Sequence, residues 1–298
     1  MTTDAGPRST RPSWFRRLLR NKSGVVAAII VMVFVIMAVA GSWLAPFDPN
    51  ELAGADSLKG PGAEHWLGAD ELGRDQLSRI MDAASVALAV SGLSVLIALA
   101  VGGIMGIFAG YAGGWVDKVL SRVMDVMFSF PTLLLAIVIV AVLGPGLVNA
   151  AIAIAIVYIP RFARVARGAT LGVRHDLYIE AARLSGVTPI RIAIRHVIPN
   201  ITAPMIVLSA LSMSTAQLAY SALSFLGLGT NPPQADYGSM LARARNFVTL
   251  APWLTIFPAI ALILLIVGFN LLGDALRDVL DPRSHRGTGA IEGVEATI

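Results

Sequence analysis

The chain contains no cysteine and few charged residues. None of its 298 residues is a cysteine, which excludes a disulfide framework, thiol chemistry and a cysteine-ligated metal site. Charged residues make up only 14% of the chain, whereas a soluble domain of this length carries about a quarter. Hydrophobic residues make up 56%. This composition indicates an integral membrane protein.

The sequence patterns of common cofactor sites are also missing. The four histidines are scattered along the chain and form no metal-binding pattern (His65, His175, His196, His285). No glycine-rich loop ends in Lys-Ser or Lys-Thr, so the chain cannot bind or hydrolyse ATP by that route. The net charge of +4 could indicate nucleic-acid binding, but the arginines adjoin apolar runs and membrane topology explains them better. We therefore expect no cofactor, metal or nucleic acid on this chain.

Six apolar segments are candidates for membrane spans. A helix rises about 1.5 Å per residue and the hydrocarbon core is roughly 30 Å thick, so about 20 residues suffice for a crossing. The first two spans are predicted near 25–44 and 84–110, the third ends near 143 with a kink at Pro131, and the others cover about 147–160, 201–226 and 251–272. The fourth is short, and we expect its helix to continue into the polar stretch that follows.

Charge asymmetry predicts the orientation of these spans. Residues 45–82 hold eight acids against three bases, which suits an outer segment, and residues 161–200 hold seven arginines against two acids, which suits the cytoplasmic side. The arginines Arg243 and Arg245, in a segment that the span count places outside, are the exception. With six spans in this orientation, both termini are expected in the cytoplasm.

The predicted organisation has four parts. Residues 1–23 are basic with interleaved apolar residues, which is typical of an interfacial segment on the cytoplasmic face. A signal peptide is the alternative, but the apolar run that follows is too long for one. Residues 24–82 hold the first span and an outer segment, residues 83–285 hold a core domain with five spans, and residues 286–298 are expected to be disordered.

Two local patterns carry structural expectations. The adjacent acids Asp70 and Glu71 could suggest a metal or acid–base site, but we expect them to cap a short helix and to pair with Arg74. Four glycines recur at four-residue spacing in the second span (Gly102, Gly106, Gly110, Gly114). Such a ridge allows the backbone of a neighbouring membrane helix to approach closely.

The polar stretch 161–200 carries the most specific pattern. Two helical phrases, 176–184 and 188–197, are separated by Gly186; Pro189 suits the first turn of the second phrase, and Pro199 is expected to end it. One interpretation is an ordinary basic cytoplasmic loop, in which Glu180 would form an ion pair with Arg174 or Arg183.

The order Glu180-Ala181-Ala182, Gly186 and Ile198-Pro199 resembles the EAA motif of ABC importer permeases, although the family favours Ile where this chain has His196 and Leu where it has Ile198. The resemblance implies short coupling helices that dock on an ATPase subunit. The residues that it assigns to ATPase coupling are Glu180, Ala181, Ala182, Arg183, Gly186, Pro189, Ile198 and Pro199.

Two further phrases narrow the resemblance. HWLGADELGRDQLSR at 65–79 and LSFLGLGTNPPQADYGSML at 223–241 are similar to phrases of the smaller, C-type permease subunits of the dipeptide, oligopeptide and nickel group, which usually have Trp in place of Tyr237. The second phrase is expected to form a re-entrant or amphipathic outer segment.

The resemblance implies an all-α polytopic protein with six transmembrane helices in the type I ABC importer fold. The chain would be a non-catalytic, multi-pass subunit of a bacterial inner membrane. Its partners would be a second, homologous permease forming a heterodimer, two ATPase domains that bind ATP and Mg, and an extracytoplasmic substrate-binding protein. Di- or oligopeptides are the expected substrates, with nickel chelates or glutathione as alternatives.

Other classes of transporter fit the sequence less well. An ion-coupled secondary transporter needs ionisable residues near the membrane midplane, and the predicted spans are uncharged at their centres. A channel would require a filter sequence, and nothing in the chain resembles one. Exporters usually carry a fused ATPase and lack the EAA phrase.

Overall fold

The computed structural model describes residues 21–174 and 176–280. Its helices are α1 (Lys22–Leu44), α2 (Gln76–Ala112), α3 (Gly114–Phe128), α4 (Thr132–Leu143), α5 (Leu147–Val173), α6 (Leu177–Leu184), α7 (Pro189–Ile192), α8 (Ile198–Phe225), α9 (Tyr237–Ala244) and α10 (Trp253–Leu280). A 3-10 turn covers Gly54–Asp56 and a π-helical turn covers Ala193–Val197. The interfacial segment predicted before residue 21 and the tail predicted at 286–298 lie outside the described residues.

The helices confirm a polytopic all-α membrane protein. In the described part of the chain, α1, α2, α5, α10 and the continuous run Pro189–Phe225 are each long and apolar enough to cross a membrane. The bent pair of α3 and α4 makes a sixth crossing when it is counted as one span. The number and order of the predicted spans therefore agree with the fold.

The third span is a broken element and not the kinked helix that the sequence predicted. The axes of α3 and α4 differ by 93°. Pro131 stands at the N-cap of α4 with φ −57°. A proline has no N–H to donate and disfavours helical geometry at the residue before it, here Phe130. Pro131 therefore separates two helices, and α4 is left with only 12 residues.

The fourth span continues as one helix, as predicted. α5 runs for 27 residues from Leu147 to Val173 and contains Pro160 without ending there. At about 1.5 Å per residue it is roughly 40 Å long. It therefore leaves the apolar bundle as a continuous rod and leads directly to the polar segment.

Pro199 does not end a helix, contrary to the prediction. The wide turn Ala193–Val197 joins α7 to α8, and Pro199 lies in the first turn of α8. A proline is tolerated there because it follows the π-helical turn, in which Ile198 N–H bonds to Ala193 O and the regular α-helical hydrogen-bond pattern is interrupted. The fifth span and the second helical phrase thus form one continuous helical run.

The closest helix pair is α2 with α5, and three of the four ridge glycines lie in it. A Cβ on Gly102 would come within 2.6 Å of the Ile159 carbonyl oxygen, and a Cβ on Gly106 within 2.3 Å of the Ala163 carbonyl oxygen. Gly110 is similarly close to Thr170. The predicted close approach is confirmed at these positions. Gly114 is the exception, because it starts α3 and has no neighbour within 4 Å.

Buried ion pairs organise one end of the bundle, which we call the cap end and define as residues 45–75 together with α9. Arg74 donates from Nε to Asp70 Oδ2 at 2.7 Å, and its Nη2 forms an ion pair with the same oxygen at 2.7 Å. The predicted pairing is therefore confirmed. The capping is different from the prediction, because Asp70 accepts from Leu72 and Arg74 backbone N–H groups in a loop, while Asp75 caps α2 by accepting from Ser78 N at 2.8 Å.

An ion pair also accounts for Arg243, one of the two arginines in the segment that was predicted to lie outside. Arg243 on α9 donates from Nη1 to Glu71 Oε1 at 3.4 Å. The helix that carries Arg243 packs against α8 and α10, and it is amphipathic, as predicted for this segment. The positive charge is therefore partnered by the acidic segment 45–75. In the part of the chain that the structure describes, no group of His, Asp and Glu has the geometry to hold a metal ion.

Candidate coupling surface

The polar segment 161–200 lies at the opposite end of the bundle, which we call the coupling end. The C-terminal half of α5 is tied there by ion pairs to α3. Arg167 contacts both carboxylate oxygens of Asp117, with Nη2 donating to Oδ2 at 2.7 Å, and Arg164 Nη2 donates to Asp125 Oδ1 at 2.9 Å. Arg174 Nη1 donates to the carbonyl oxygen of Gly110 at 3.3 Å, on α2. The arginine-bearing helix is thus fixed to the bundle.

Helix α6 is anchored to the bundle by one side and exposed on the other. Ile179 has 0% of its side chain exposed and belongs to the main apolar cluster of the bundle. Ala182, one turn later, is half-buried against the same cluster. Glu180 and Ala181 are exposed. A rigid attachment therefore holds a short helix whose polar face is available.

The corner after α6 depends on Gly186. Its φ is +74°, in the left-handed region that glycine adopts without steric cost. Two backbone hydrogen bonds close the turn, from Gly186 N to Arg183 O at 3.0 Å and from Val187 N to Ala182 O at 3.1 Å. The chain then enters α7, with Pro189 in its first turn as predicted.

Helices α6 and α7 are also connected directly to the start of α8. Asn200 donates from Nδ2 to the Tyr178 hydroxyl at 3.1 Å and to the His196 carbonyl oxygen at 2.7 Å. Desolvation, followed by the nearby Asp176 carboxylate, raises the pKa of Tyr178. Ile192 and Val197 are fully buried in the main cluster. The exposed segment is therefore joined to the membrane helices through packed side chains.

The exposed side of this segment is more apolar than its charge suggests. Four large aliphatic side chains point away from the bundle, with exposed fractions between 61% and 90% (Leu177, Leu184, Ile190, Ile194). An open groove of about 460 Å³ is lined by Thr188, Ile190, Arg191, Ile194 and Arg195. Apolar groups of this size in a polar segment are typical of a surface that a partner covers. These residues were missed in the sequence because they stand singly among arginines.

Most of the residues assigned from the motif are accessible on the surface. Glu180, Ala181, Arg183, Gly186, Pro189, Ile198 and Pro199 are all exposed, and Ala182 is half-buried. The Arg183 guanidinium carbon lies 4.7 Å from the centre of the Tyr111 ring. Glu180 joins no ion pair within residues 21–174 and 176–280, so the alternative in which Arg174 or Arg183 satisfies it is not observed there.

An all-helical bundle with several membrane spans is typical of membrane transport proteins. The chain belongs to the family described as binding-protein-dependent transport system inner membrane component, whose model matches residues 102–286. Residues 13–61 match the N-terminal transmembrane domain of oligopeptide transport permease C. The protein is a membrane-spanning permease subunit of the ABC importer type, as the sequence predicted.

Similar proteins match over nearly the whole chain. A dipeptide transport system permease protein from Alkalihalophilus pseudofirmus is 43% identical over 90% of this chain and 88% of its own length. Glutathione transport system permease proteins from Pectobacterium atrosepticum and from Escherichia coli are each 41% identical over 93% of both chains. A solved chain of the inward-facing MetNI methionine ABC transporter covers 68% of this chain with a TM-score of 0.57 and 17% identity. That likeness supports the fold.

Proposed function

We propose that this permease subunit imports di- or oligopeptides and that α6 and α7 dock on an ATPase subunit. A second, homologous permease would complete the translocation pathway as a heterodimer. Two ATPase domains would bind ATP and Mg, and a substrate-binding protein would deliver the substrate on the outer side. The cap end would face outwards from a bacterial cell membrane, with both termini and the coupling end in the cytoplasm.

One observation carries the docking proposal. Leu177 and Leu184 are exposed three residues before and four residues after Glu180 on α6, and Ile190 on α7 is exposed as well. Glu180 is itself exposed and is an acid in an arginine-rich segment. These features would fit a groove on the ATPase subunit that has apolar walls and a positively charged group to pair with the Glu180 carboxylate. Burial of Ile179 and Ile192 in the main cluster would transmit closure of the ATPase dimer to α5 and α8. The permease pair would then alternate between inward-facing and outward-facing states.

The substrate class is supported by the similar proteins. The matching permeases are those of dipeptide and glutathione transport systems. Glutathione is itself a small peptide, so both names indicate peptide-like substrates. Glutathione import is therefore the second candidate, and nickel chelates follow from the original resemblance alone.

The function is tested by reconstituting the whole importer. The chain would be co-expressed with its homologous permease, ATPase and binding-protein partners, and uptake of a radiolabelled dipeptide into ATP-loaded vesicles would be measured. We expect ATP-dependent uptake that unlabelled di- and tripeptides inhibit. Inhibition by glutathione alone would favour the second candidate. Uptake that needs an ion gradient and no ATPase would contradict the proposal.

A further inference from the structure

Helix α3 presents an exposed apolar stripe that the proposed function does not use. Its members lie at helical spacing on one face, with exposed fractions of 76%, 40%, 46% and 53% (Trp115, Val119, Val123, Val126). The opposite side faces the bundle, where Met124 is buried and Asp117 pairs with Arg167. Lys118 and Arg122 are exposed along the edge of the stripe.

The helical rise of α2 places α3 near the level at which an apolar core of ordinary thickness would end. The uncharged run of α2 begins at Ala83, and Gly106 is 23 residues further along, or roughly 35 Å at the helical rise. That distance is close to the roughly 30 Å of a hydrocarbon core. Gly106 packs beside Arg167, the residue that holds Asp117 of α3. The ion pairs therefore keep α3 near the level at which the apolar core ends.

The orientation of α3 also suits a membrane surface. α4 packs along α5, which is a membrane-spanning helix, and α3 is bent by 93° from α4. The bend turns α3 away from the membrane normal. A helix in this orientation presents its whole apolar stripe to one side, and the crossing that the bent pair makes is then completed by α4.

We propose that α3 lies in the headgroup–acyl boundary of the cytoplasmic leaflet and binds an anionic lipid surface. Trp115, Val119, Val123 and Val126 face the acyl chains. Lys118 and Arg122 contact the phosphates of anionic headgroups. Tryptophan is enriched at such boundaries, and a polar face rich in Lys and Arg is typical of interfacial helices. The inference rests on the orientation proposed above, in which the coupling end is cytoplasmic.

The absence of cysteine allows a direct test by site-directed spin labelling. Val119→Cys and Val123→Cys would be labelled in the assembled importer in vesicles, and Asp274→Cys, at an exposed acid near the end of α10 and outside the docking segment, is the matched water-facing control. We expect collision with oxygen to exceed collision with a water-soluble nickel chelate at Val119 and Val123. The control is expected to show the reverse ratio.

The outcomes separate the possible occupants of the stripe. Labels shielded from both reagents would show that a protein partner covers it, and labels that collide mainly with the nickel chelate would show water; either result overturns the inference. Reaction of Val119→Cys with an impermeant thiol reagent from outside intact cells would instead show that the proposed orientation is wrong.

The preference of α3 for anionic lipids is tested separately, by the depth of the Val119 label in the membrane. Adding phosphatidylglycerol to phosphatidylcholine vesicles is expected to shift the Val119 label deeper. Replacing Lys118 and Arg122 by glutamine is expected to remove most of that shift, whereas free inorganic phosphate leaves it unchanged. A depth that is independent of lipid charge in both backgrounds would contradict the proposed contact with anionic headgroups.

Discussion

Replacing Gly106 by alanine is expected to weaken the contact between α2 and α5. The new Cβ would lie 2.3 Å from the Ala163 carbonyl oxygen and 2.7 Å from the Ala166 Cβ. Ordinary contacts are longer by about 1 Å, so the two backbones must separate. Overpacking costs about 1–3 kcal/mol, and the higher helix propensity of alanine offsets up to about 1 kcal/mol. Because backbone groups form this contact, we expect a net loss near 2 kcal/mol.

Gly92 provides the matched control for this substitution. It lies in the same helix, and a Cβ there would meet nothing within 4 Å. Gly92→Ala is therefore expected to leave thermal stability unchanged or slightly raised. The detergent-solubilised variants would be heated and the fraction remaining monodisperse measured by size-exclusion chromatography. Equal melting temperatures for Gly106→Ala and Gly92→Ala would refute the close-packing argument.

Two further predictions concern topology and the cap end. A single cysteine at the exposed Gln234 should react with an impermeant thiol reagent from outside intact cells, and one at Ser185 should not; the opposite pattern would invert the proposed orientation. Asp70→Ala should destabilise the cap end by about 3–5 kcal/mol, because it leaves the buried Arg74 without its 2.7 Å partner. An unchanged melting temperature for Asp70→Ala would show that the pair contributes little.

The sequence predicted those features that depend on local pattern. Long apolar runs predicted the spans, because hydropathy is a local property. Glycine at four-residue spacing predicted the close approach of a neighbouring helix, but it did not identify that helix as α5. The sequence predicted the position of the bend at Pro131 but not its angle of 93°. A proline ends a helix without setting the direction of the helix that follows.

Features that depend on distant contacts could not be predicted. Arg243 contradicted the charge rule until its Glu71 partner, 172 residues away, was known. In the sequence, Asp75 was only one of eight acids in an acidic segment. In the structure it caps α2, and its Oδ1 lies 2.9 Å from Nδ1 of the buried His65 ring. The exposed aliphatic residues of the coupling surface became recognisable only when the fold showed which side of α6 and α7 faces away from the bundle.

The most direct test of the coupling role is reversal of the charge at Glu180. Glu180→Lys should leave the permease inserted and paired with its homologue, but it should release the ATPase or uncouple hydrolysis from uptake. Loss of one member of a buried charge pair costs about 3–5 kcal/mol, and a partly exposed pair costs less. Glu51→Lys, an exposed acid at the cap end, is the control and should transport normally.

The deciding measurement is ATP-dependent peptide uptake by Glu180→Lys, alone and with a compensating Arg→Glu change in the ATPase groove. The docking account predicts uptake lost in the single variant and partly restored in the charge-swapped pair. Wild-type uptake by Glu180→Lys with the ATPase still bound would contradict it.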